Sequence, residues 1–286
     1  MNEAKVSVIM PCFNDGKYIG DAIDSILRQT YPRWDLIIVD DGSTDEATVA
    51  FLGRIHDPKV QVLRKPNGGV SSARNHGIRQ TDAEYILPFD ADDIAESNYL
   101  EKAVATLESD PAIGVVSCHE RFFPGTQFDK TLRVWEPKGG GVENFLLTSN
   151  ANANSVMRRR CWQEAGGYDE RLPSHEDWAF WLKVVSLGWQ ISVVPEVLLH
   201  YRRSEASKFT KNVRNRPQFV KHIVEDNIDV FRQHVAFCLA RKEEEILEMK
   251  DAHRVRVEKI RKSRECQIGR ALLWPWRKFR EAIGRS

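Results

Sequence analysis

The chain has 286 residues, of which 42% are hydrophobic and 29% are charged, and its formal net charge is +1. This is the composition of a globular protein, so it excludes a mainly disordered or collagen-like chain. The charge is uneven, because residues 1–204 carry 22 basic and 29 acidic groups while residues 205–286 carry 20 basic and 12 acidic groups. An acidic body is therefore joined to a basic C-terminal segment.

The first ninety residues alternate short apolar runs with amphipathic segments. Runs that are short, apolar and rich in β-branched residues are typical of buried parallel strands. They are Val6–Met10, Leu36–Val39, Val60–Leu63 and Tyr85–Phe89. Apolar residues at helical spacing predict helices between them. These helices are Ile19–Leu27, Ala47–Leu52 and Ala73–Gln80. This alternation favours an α/β fold with a mainly parallel central sheet.

The pattern is less regular after residue 93. The further predicted elements are helix Ile94–Leu107, strand Ile113–Cys118, helix Trp178–Val185 and strands Ile191–Val194 and Val197–Tyr201. Pro195 is expected to separate the last two strands, since proline cannot donate to a strand ladder. Beyond Pro217, apolar residues recur at helical spacing as far as Leu239. We therefore expect an α/β domain at residues 1–204 and a helical, basic extension at residues 205–286.

Polar clusters follow three of the predicted strands. They are Asn14-Asp15, Asp40-Asp41 and Asp90-Ala91-Asp92-Asp93. In open α/β sheets ligands bind beyond the carboxyl ends of the strands, so these clusters are expected to converge on one site. Neighbouring carboxylates repel one another, and a hard divalent cation that bridges them to a phosphate relieves that repulsion. The alternative is that Asp93 only favours the dipole at the start of helix Ile94–Leu107.

Five segments, taken together and in this order, resemble glycosyltransferase family 2. They are Val6–Asp45, Asn67–Asn75, Phe89–Asp93, Gly166–Asp169 and His175–Trp178. The resemblance covers roughly residues 5–204. It implies a Rossmann-like glycosyltransferase A fold, with residues 1–204 as the catalytic domain. It also implies transfer of a sugar from a nucleotide-sugar donor with inversion.

The resemblance assigns roles to individual positions. The residues implied in nucleotide binding are Pro11, Phe13, Asn14, Asp40, Asp41, Asn67, Arg74 and Asp90. Of the two adjacent acids Asp40 and Asp41, Asp41 is the preferred partner of the base. Asp90 is implied either to bind the ribose or to help form the metal site. Asp92 is the implied ligand of Mn²⁺ or Mg²⁺, with Asp93 as the alternative, and Asp177 is the implied general base. Trp178 and Trp181 are expected in the core or in the cleft wall.

The chemistry of inversion fits these roles. A hydroxyl is a poor nucleophile, so a carboxylate must take its proton while it attacks the sugar. The leaving diphosphate gains charge, which a divalent cation stabilises.

Two alternatives stay open, because Asp40-Asp41 also suits a simple turn and Asp177 also suits a first-turn helix acid. A third stays open at His200, which either completes the metal shell or is structural. The family often has Tyr-Arg-x-His nearby, whereas this chain has Tyr201-Arg202-Arg203-Ser204.

The basic segment Arg270–Arg280 mixes Trp, Phe and Leu with Arg and Lys. This mixture favours an anionic membrane surface as the partner. The alternative is that its Trp pair packs on the catalytic domain, and no motif supports a nucleic-acid partner. No run of 18 apolar residues and no signal peptide are apparent. Five scattered cysteines suit a reducing compartment, so we expect a cytoplasmic protein at the inner face of the membrane.

The sequence thus predicts an inverting, metal-dependent glycosyltransferase. Its expected donor is a UDP-sugar, and its expected acceptor is a saccharide or lipid-linked molecule of surface polysaccharide or glycolipid synthesis. One rival is a sugar-phosphate nucleotidyltransferase, but the acidic segment Pro11–Gly16 stands where that class has a basic, Gly-rich loop. Another rival is a catalytically degenerate membrane scaffold, but the acids at positions 90, 92, 93 and 177 are all in place.

Overall fold

Within the residues that the computed structural model describes, nine strands form one sheet. These residues are 4–203 and 215–263, together with residues 266 and 268. The strands are β1 (Val6–Cys12), β2 (Trp34–Asp40), β3 (Val60–Arg64), β4 (Tyr85–Pro88), β5 (Ile94–Ala95), β6 (Ile113–Pro124), β7 (Arg133–Trp135), β8 (Val156–Arg158) and β9 (Gln190–Arg203). Their order is β3-β2-β1-β4-β8-β6-β9-β5, and β7 pairs with β6.

Helices connect and follow these strands. They are α1 (Ile19–Leu27), α2 (Glu46–Leu52), α3 (Val70–Ile78), α4 (Tyr99–Ser109), α5 (Arg159–Ala165), α6 (Glu176–Ser186), α7 (Arg216–Asp226), α8 (Ile228–Gln233) and α9 (Val235–Lys262), with a 3₁₀ turn at Val142–Asn144. The predicted α/β class and the helical C-terminal region are therefore confirmed. No helix in the described part is long and apolar enough to cross a bilayer.

The parallel part of the sheet is β3-β2-β1-β4. Parallel neighbours need crossover connections, which the first three helices provide. Beyond β4 the sheet is mixed, because β8 runs antiparallel to both β4 and β6 while β9 runs parallel to β6. The carboxyl ends of β1, β2 and β4 consequently lie along one edge of the sheet, where the predicted polar clusters follow them.

Strand β1 lies at the centre of the core and is buried along its whole length. Its side chains Val8 and Met10 belong to the same apolar cluster as Ile19 and Ile26 of α1. On the other face, α3 approaches so closely that a Cβ at Gly77 would lie 2.6 Å from Cγ2 of Ile9. Helices thus cover both faces of this strand, which explains why its sequence is almost wholly apolar.

Two predicted elements are wrong. The helix expected at Ile94–Leu107 begins only at Tyr99, because Ile94 and Ala95 form strand β5 against β9. Asp93 therefore does not lie in the first turn of a helix. The two strands expected around Pro195 are one strand, β9. Its register against β6 shifts between Val194 and Val197, so the proline occupies an irregularity where no ladder bond is lost.

The contacts within the chain divide it into two units, Met1–Gln233 and His234–Ser286. Helices α7 and α8 belong to the first unit. Helix α9 has no buried residue. The predicted domain boundary at residue 204 falls in the segment 204–214, which lies outside the described residues, so it stays a prediction. The basic segment at 270–280 lies outside the described residues.

Candidate active site

The loop after β4 carries three aspartates in different environments. Asp93 is 1% exposed, and its two carboxylate oxygens accept from Nδ2 of Asn154 at 2.7 Å and from the backbone N–H of Arg202 at 3.0 Å. Asn154 also accepts from the backbone N–H of Asp90 at 3.1 Å. Asp93 thus anchors the loop to the sheet, which leaves Asp90 and Asp92 as the carboxylates better placed to meet a ligand.

Burial, together with the neighbouring carboxylates Asp90 and Asp15, raises the pKa of Asp92 to about 7. Its backbone carbonyl accepts from Nε of Arg202 at 2.8 Å, which fixes the loop from the opposite side. A carboxylate whose ionisation is opposed by other carboxylates is stabilised in its charged form by a cation. The donor set is all oxygen, so it fits Mg²⁺ or Mn²⁺.

Arg74 links this loop to the segment that carries Asp177. The guanidinium is 1% exposed and donates to Asp90 at 2.6 Å and to Glu176 at 2.9 Å. Burial alone would lower the pKa of Arg74, but Asp90 and Glu176 raise it above its ordinary value. A permanently charged, two-sided bridge therefore joins the carboxyl end of β4 to the N-terminus of α6.

Asp177 lies in the first turn of α6. His175 occupies the N-cap position with a left-handed φ of 62°, which is unusual for a residue other than glycine. Burial, together with the neighbouring carboxylate Glu176, raises the pKa of Asp177 to about 7. A carboxylate with a pKa near neutrality is well matched to accept a proton at physiological pH.

The loops after β1 and β2 are tied together by Asn14. Its backbone has a left-handed φ of 58°, and its Oδ1 accepts from the backbone N–H groups of Thr44 and Asp45, both at 2.9 Å. Pro11 is buried in β1, whereas Phe13 is 43% exposed beside Asn14. Pro11, Phe13 and Asn14 therefore lie together at the carboxyl end of β1, where the ring of Phe13 is exposed.

Asp40 and Asp41 are both buried but have different partners. Asp40 accepts from the backbone N–H of Ser43 at 2.8 Å, which is the turn expected as its alternative role. Asp41 accepts from Nζ of Lys65 at 2.6 Å and from the backbone N–H of Gly69 at 2.7 Å. It thus shapes the loop 65–69, in which Asn67 is exposed. A pocket of about 320 Å³ adjoins this loop and is lined by Gly68–Ser71 and Glu170–Pro173.

His200 does not offer a free ring nitrogen to a metal. Its Nδ1 accepts from Nε of Arg121 at 2.9 Å, and its Nε2 lies 2.6 Å from a carboxylate oxygen of Glu96. This arrangement fixes the tautomer with the proton on Nε2, which donates to Glu96. The side chain is therefore structural, and it connects β9 to the turn after β5.

Four residues of the site were missed by the sequence reasoning. They are Glu120, Asn154, Glu176 and Arg202. The sequence carried a signal for Glu176, because it directly precedes the predicted base Asp177. It also carried one for Arg202, which belongs to the Tyr201-Arg202 pair that resembles the family pattern. Asn154 had none, since it acts through contacts with Asp90 and Asp93, about 60 positions away in the sequence. Glu120 is an isolated acid in a strand and had none either. Glu120 is 5% exposed on β6, and burial raises its pKa to about 8.

The model of the Glycosyl transferase family 2 matches residues 7–164, which is more than half of the chain. The chain belongs to glycosyltransferase family 2. A glycosyltransferase of Haemophilus influenzae is 30% identical over 243 residues, covering 79% of this chain and 74% of its own length. The teichuronic acid biosynthesis glycosyltransferase TuaG of Bacillus subtilis is 29% identical and covers 69% of this chain and 78% of its own length.

Solved structures show the same fold. The mannosyltransferase PcManGT from Pyrobaculum calidifontis, in complex with GDP-Man and Mn²⁺, has a TM-score of 0.61 at 23% identity and covers 80% of this chain and 65% of its own. TarS of S. aureus, in complex with UDP-GlcNAc, has a TM-score of 0.59 at 22% identity. The match covers 72% of this chain and 60% of the TarS chain. Some relatives are much longer, since the chain spans 27% of a Rickettsia bellii glycosyltransferase and 38% of a Streptococcus pneumoniae one.

Proposed function

We propose that this glycosyltransferase transfers a sugar with inversion from a nucleotide diphosphate donor, with a divalent cation at Asp90 and Asp92 and with Asp177 as the general base. The observation that carries the proposal is the bridge made by Arg74. Its buried guanidinium holds the carboxylate of Asp90 and the segment of Asp177 in one hydrogen-bonded network. A diphosphate site and a separate base that face the same substrate are the minimum set for inversion.

Different residues of the chain have different proposed roles in the reaction. Asp177 accepts the proton of the acceptor hydroxyl, and Arg74 keeps Asp90 and the start of α6 at a fixed separation. Asp41 holds loop 65–69 against the pocket that adjoins Gly68 and Gly69, while Phe13 offers an exposed ring on which a base can stack. A bound Mg²⁺ or Mn²⁺ supplies positive charge to the leaving diphosphate.

The donor is proposed to be a UDP-sugar. Support comes from relatives, because TarS is known with UDP and UDP-GlcNAc, although PcManGT binds GDP-Man. The acceptor is proposed to be a growing saccharide or a lipid-linked molecule of a surface polysaccharide or glycolipid. TuaG is assigned to teichuronic acid biosynthesis, and a Pasteurella multocida relative is a chondroitin synthase, 26% identical over 186 residues.

The basic C-terminal segment is proposed to hold the enzyme on the anionic cytoplasmic face of a membrane. Residues 205–286 carry 20 basic and 12 acidic groups, and Trp and Phe accompany the basic groups near the end. Deletion of residues 266–286 is expected to move the protein from the membrane fraction into the soluble fraction. Unchanged membrane partition would show that this segment is not the anchor.

Nucleotide binding tests the core of the proposal. Isothermal titration of the full chain with UDP, GDP and dTDP, each with Mn²⁺ and again with EDTA, measures both the base preference and the metal requirement. We expect UDP to bind most tightly and EDTA to weaken it at least tenfold. Equal affinities with Mn²⁺ and with EDTA would exclude the metal-dependent mechanism, and tighter binding of GDP would exclude the UDP-sugar.

A further inference from the structure

The start of helix α6 is held from two sides by arginines of other helices. Arg74 of α3 donates to the carboxylate of Glu176 at 2.9 Å. Arg216, the first residue of α7, lies with Nη1 3.0 Å from Nε2 of His175. The proposed base Asp177 directly follows these two held residues. Contacts from α3 and from α7 therefore fix the backbone that carries the base.

His175 has a conformation that needs support from its surroundings. Its φ of 62° is left-handed, and such a backbone costs free energy in any residue other than glycine. An arginine can only donate, so Nε2 of His175 accepts from Arg216. The proton of the neutral ring is then on Nδ1, which donates to Oγ of Ser174 at 3.1 Å. The ring centre of Phe219 on α7 lies 5.6 Å away.

The charge around His175 favours the neutral ring that this contact requires. Burial lowers the pKa of His175, Arg216 lowers it further, and Glu176 opposes them. The guanidinium of Arg216 also lies 5.4 Å from the ring centre of Trp178, the residue after the base. Arg216 thus contacts residues on both sides of Asp177.

The other end of α7 is attached to the loop that leads into α6. Nε2 of His222 lies 2.8 Å from Oδ2 of Asp169, and Asp226 pairs with Arg171. Ile223 is 1% exposed, so the helix also buries an apolar side chain. These contacts keep α7, and with it Arg216, beside the start of α6.

We propose that Arg216 is a positioning residue, which holds His175 in its left-handed conformation and thereby fixes Asp177 relative to the acceptor hydroxyl. The inference rests on the proposed function, since it takes Asp177 as the base. A general base must lie within hydrogen-bond reach of the proton that it accepts. Helix α7 lies beyond residue 164, where the family match ends, and beyond the predicted domain boundary at residue 204. The inference therefore adds α7 to the part of the chain that the reaction needs.

The test compares Arg216→Met and Arg216→Lys with the wild type and with Arg232→Met. Arg232 on α8 is a matched control, because its side chain is 72% exposed and pairs with Asp229 of the same helix. The probes are UDP and the one donor among UDP-Glc, UDP-GlcNAc, UDP-Gal and GDP-Man from which the wild type releases nucleotide fastest in Mn²⁺. Titration gives the affinity for UDP, nucleotide release gives kcat and KM, and thermal melting gives Tm.

Arg216→Met is expected to lower kcat by about 10- to 100-fold, because a displaced base meets its proton poorly. The affinity for UDP and the KM of the donor should change by less than about twofold, since the donor site is not touched. Arg216→Lys should recover part of kcat, because an ammonium still donates to Nε2 of His175. Arg232→Met should change none of these values.

A double-mutant cycle tests whether Arg216 acts through His175. His175→Asn keeps a residue that tolerates the left-handed conformation but removes the ring nitrogen that Arg216 contacts. Arg216→Met should have little further effect on kcat in this background, because the same interaction is already lost. NMR titration of the His175 ring tests the contact without any activity. Its pKa should rise in Arg216→Met, since a neighbouring positive charge is removed.

Four results would overturn the inference. They are an unchanged kcat for Arg216→Met, an unchanged pKa of His175 in that variant, a full further loss of kcat in the His175→Asn background, and weaker binding of UDP together with a lower Tm. The third result would show that Arg216 acts independently of His175, and the fourth would assign it a general structural role. If the wild type released nucleotide from no donor, the proposed function would fail, whereas these four results refute the inference alone.

Discussion

Removal of the Arg74 guanidinium should be among the most damaging single substitutions in the catalytic domain. The group is 1% exposed and pairs with Asp90, whose side chain is 28% exposed, and with Glu176, whose side chain is 13% exposed. Arg74→Met keeps most of the volume but leaves two carboxylates facing each other without a cation. Breaking a buried ion pair in this way costs about 3–5 kcal/mol of the free energy of unfolding.

The control is Arg79→Met, one residue beyond α3, where the arginine is exposed and lies 5.9 Å from the centre of the Trp162 ring. Chemical denaturation at pH 7.5 should show the full loss for Arg74→Met and less than about 1 kcal/mol for Arg79→Met. Arg74→Lys should lie between them, since one ammonium cannot reach both acids with the geometry of a guanidinium. A loss below about 1 kcal/mol for Arg74→Met would refute the account of the bridge.

Three further predictions concern the acids. Asp177→Asn should keep UDP binding and lower transfer by about 10²–10⁴-fold in steady-state assays, because the base is lost; retained transfer would contradict this role. Asp92→Asn should weaken the binding of UDP in the presence of Mn²⁺ but not in EDTA, because it removes a proposed ligand of the cation; titration of each variant with UDP under both conditions measures this. Since the pKa values of Asp92 and Asp177 are raised to about 7 in the folded state, the folded protein binds protons more tightly than the unfolded chain. Metal-free stability, measured as Tm, should therefore fall as pH rises from about 4 to 7, and Mn²⁺ should restore it at pH 7.5.

The parallel half of the fold was predictable because the local sequence pattern of each strand agrees with its place in the sheet. Val6–Met10 is apolar except for Ser7, and the structure buries β1 on both faces. Ile94 shows the limit of prediction from local sequence. Its local sequence suits a helix, but in the structure Ile94 pairs with His200 and forms part of a strand. Tertiary contacts with β9 decided that conformation, and they are not visible in the local pattern.

The candidate site was predictable only where motifs mark it. The loop after β4 and the start of α6 carry such motifs, and Arg74 joins them in the structure. The roles of His200 and Asp93 were not predictable, since each depends on partners about 60 to 110 positions away, such as Asn154 and Arg202.

The most direct test of the central claim is nucleotide release from a panel of UDP-, GDP- and dTDP-sugars, with Mn²⁺ or Mg²⁺ and with EDTA, by the wild type and by Asp177→Asn. Addition of oligosaccharide and lipid-linked acceptors extends the panel to transfer. The account predicts metal-dependent release from one UDP-sugar that Asp177→Asn abolishes. Release that continues in EDTA, or that Asp177→Asn leaves intact, would contradict it.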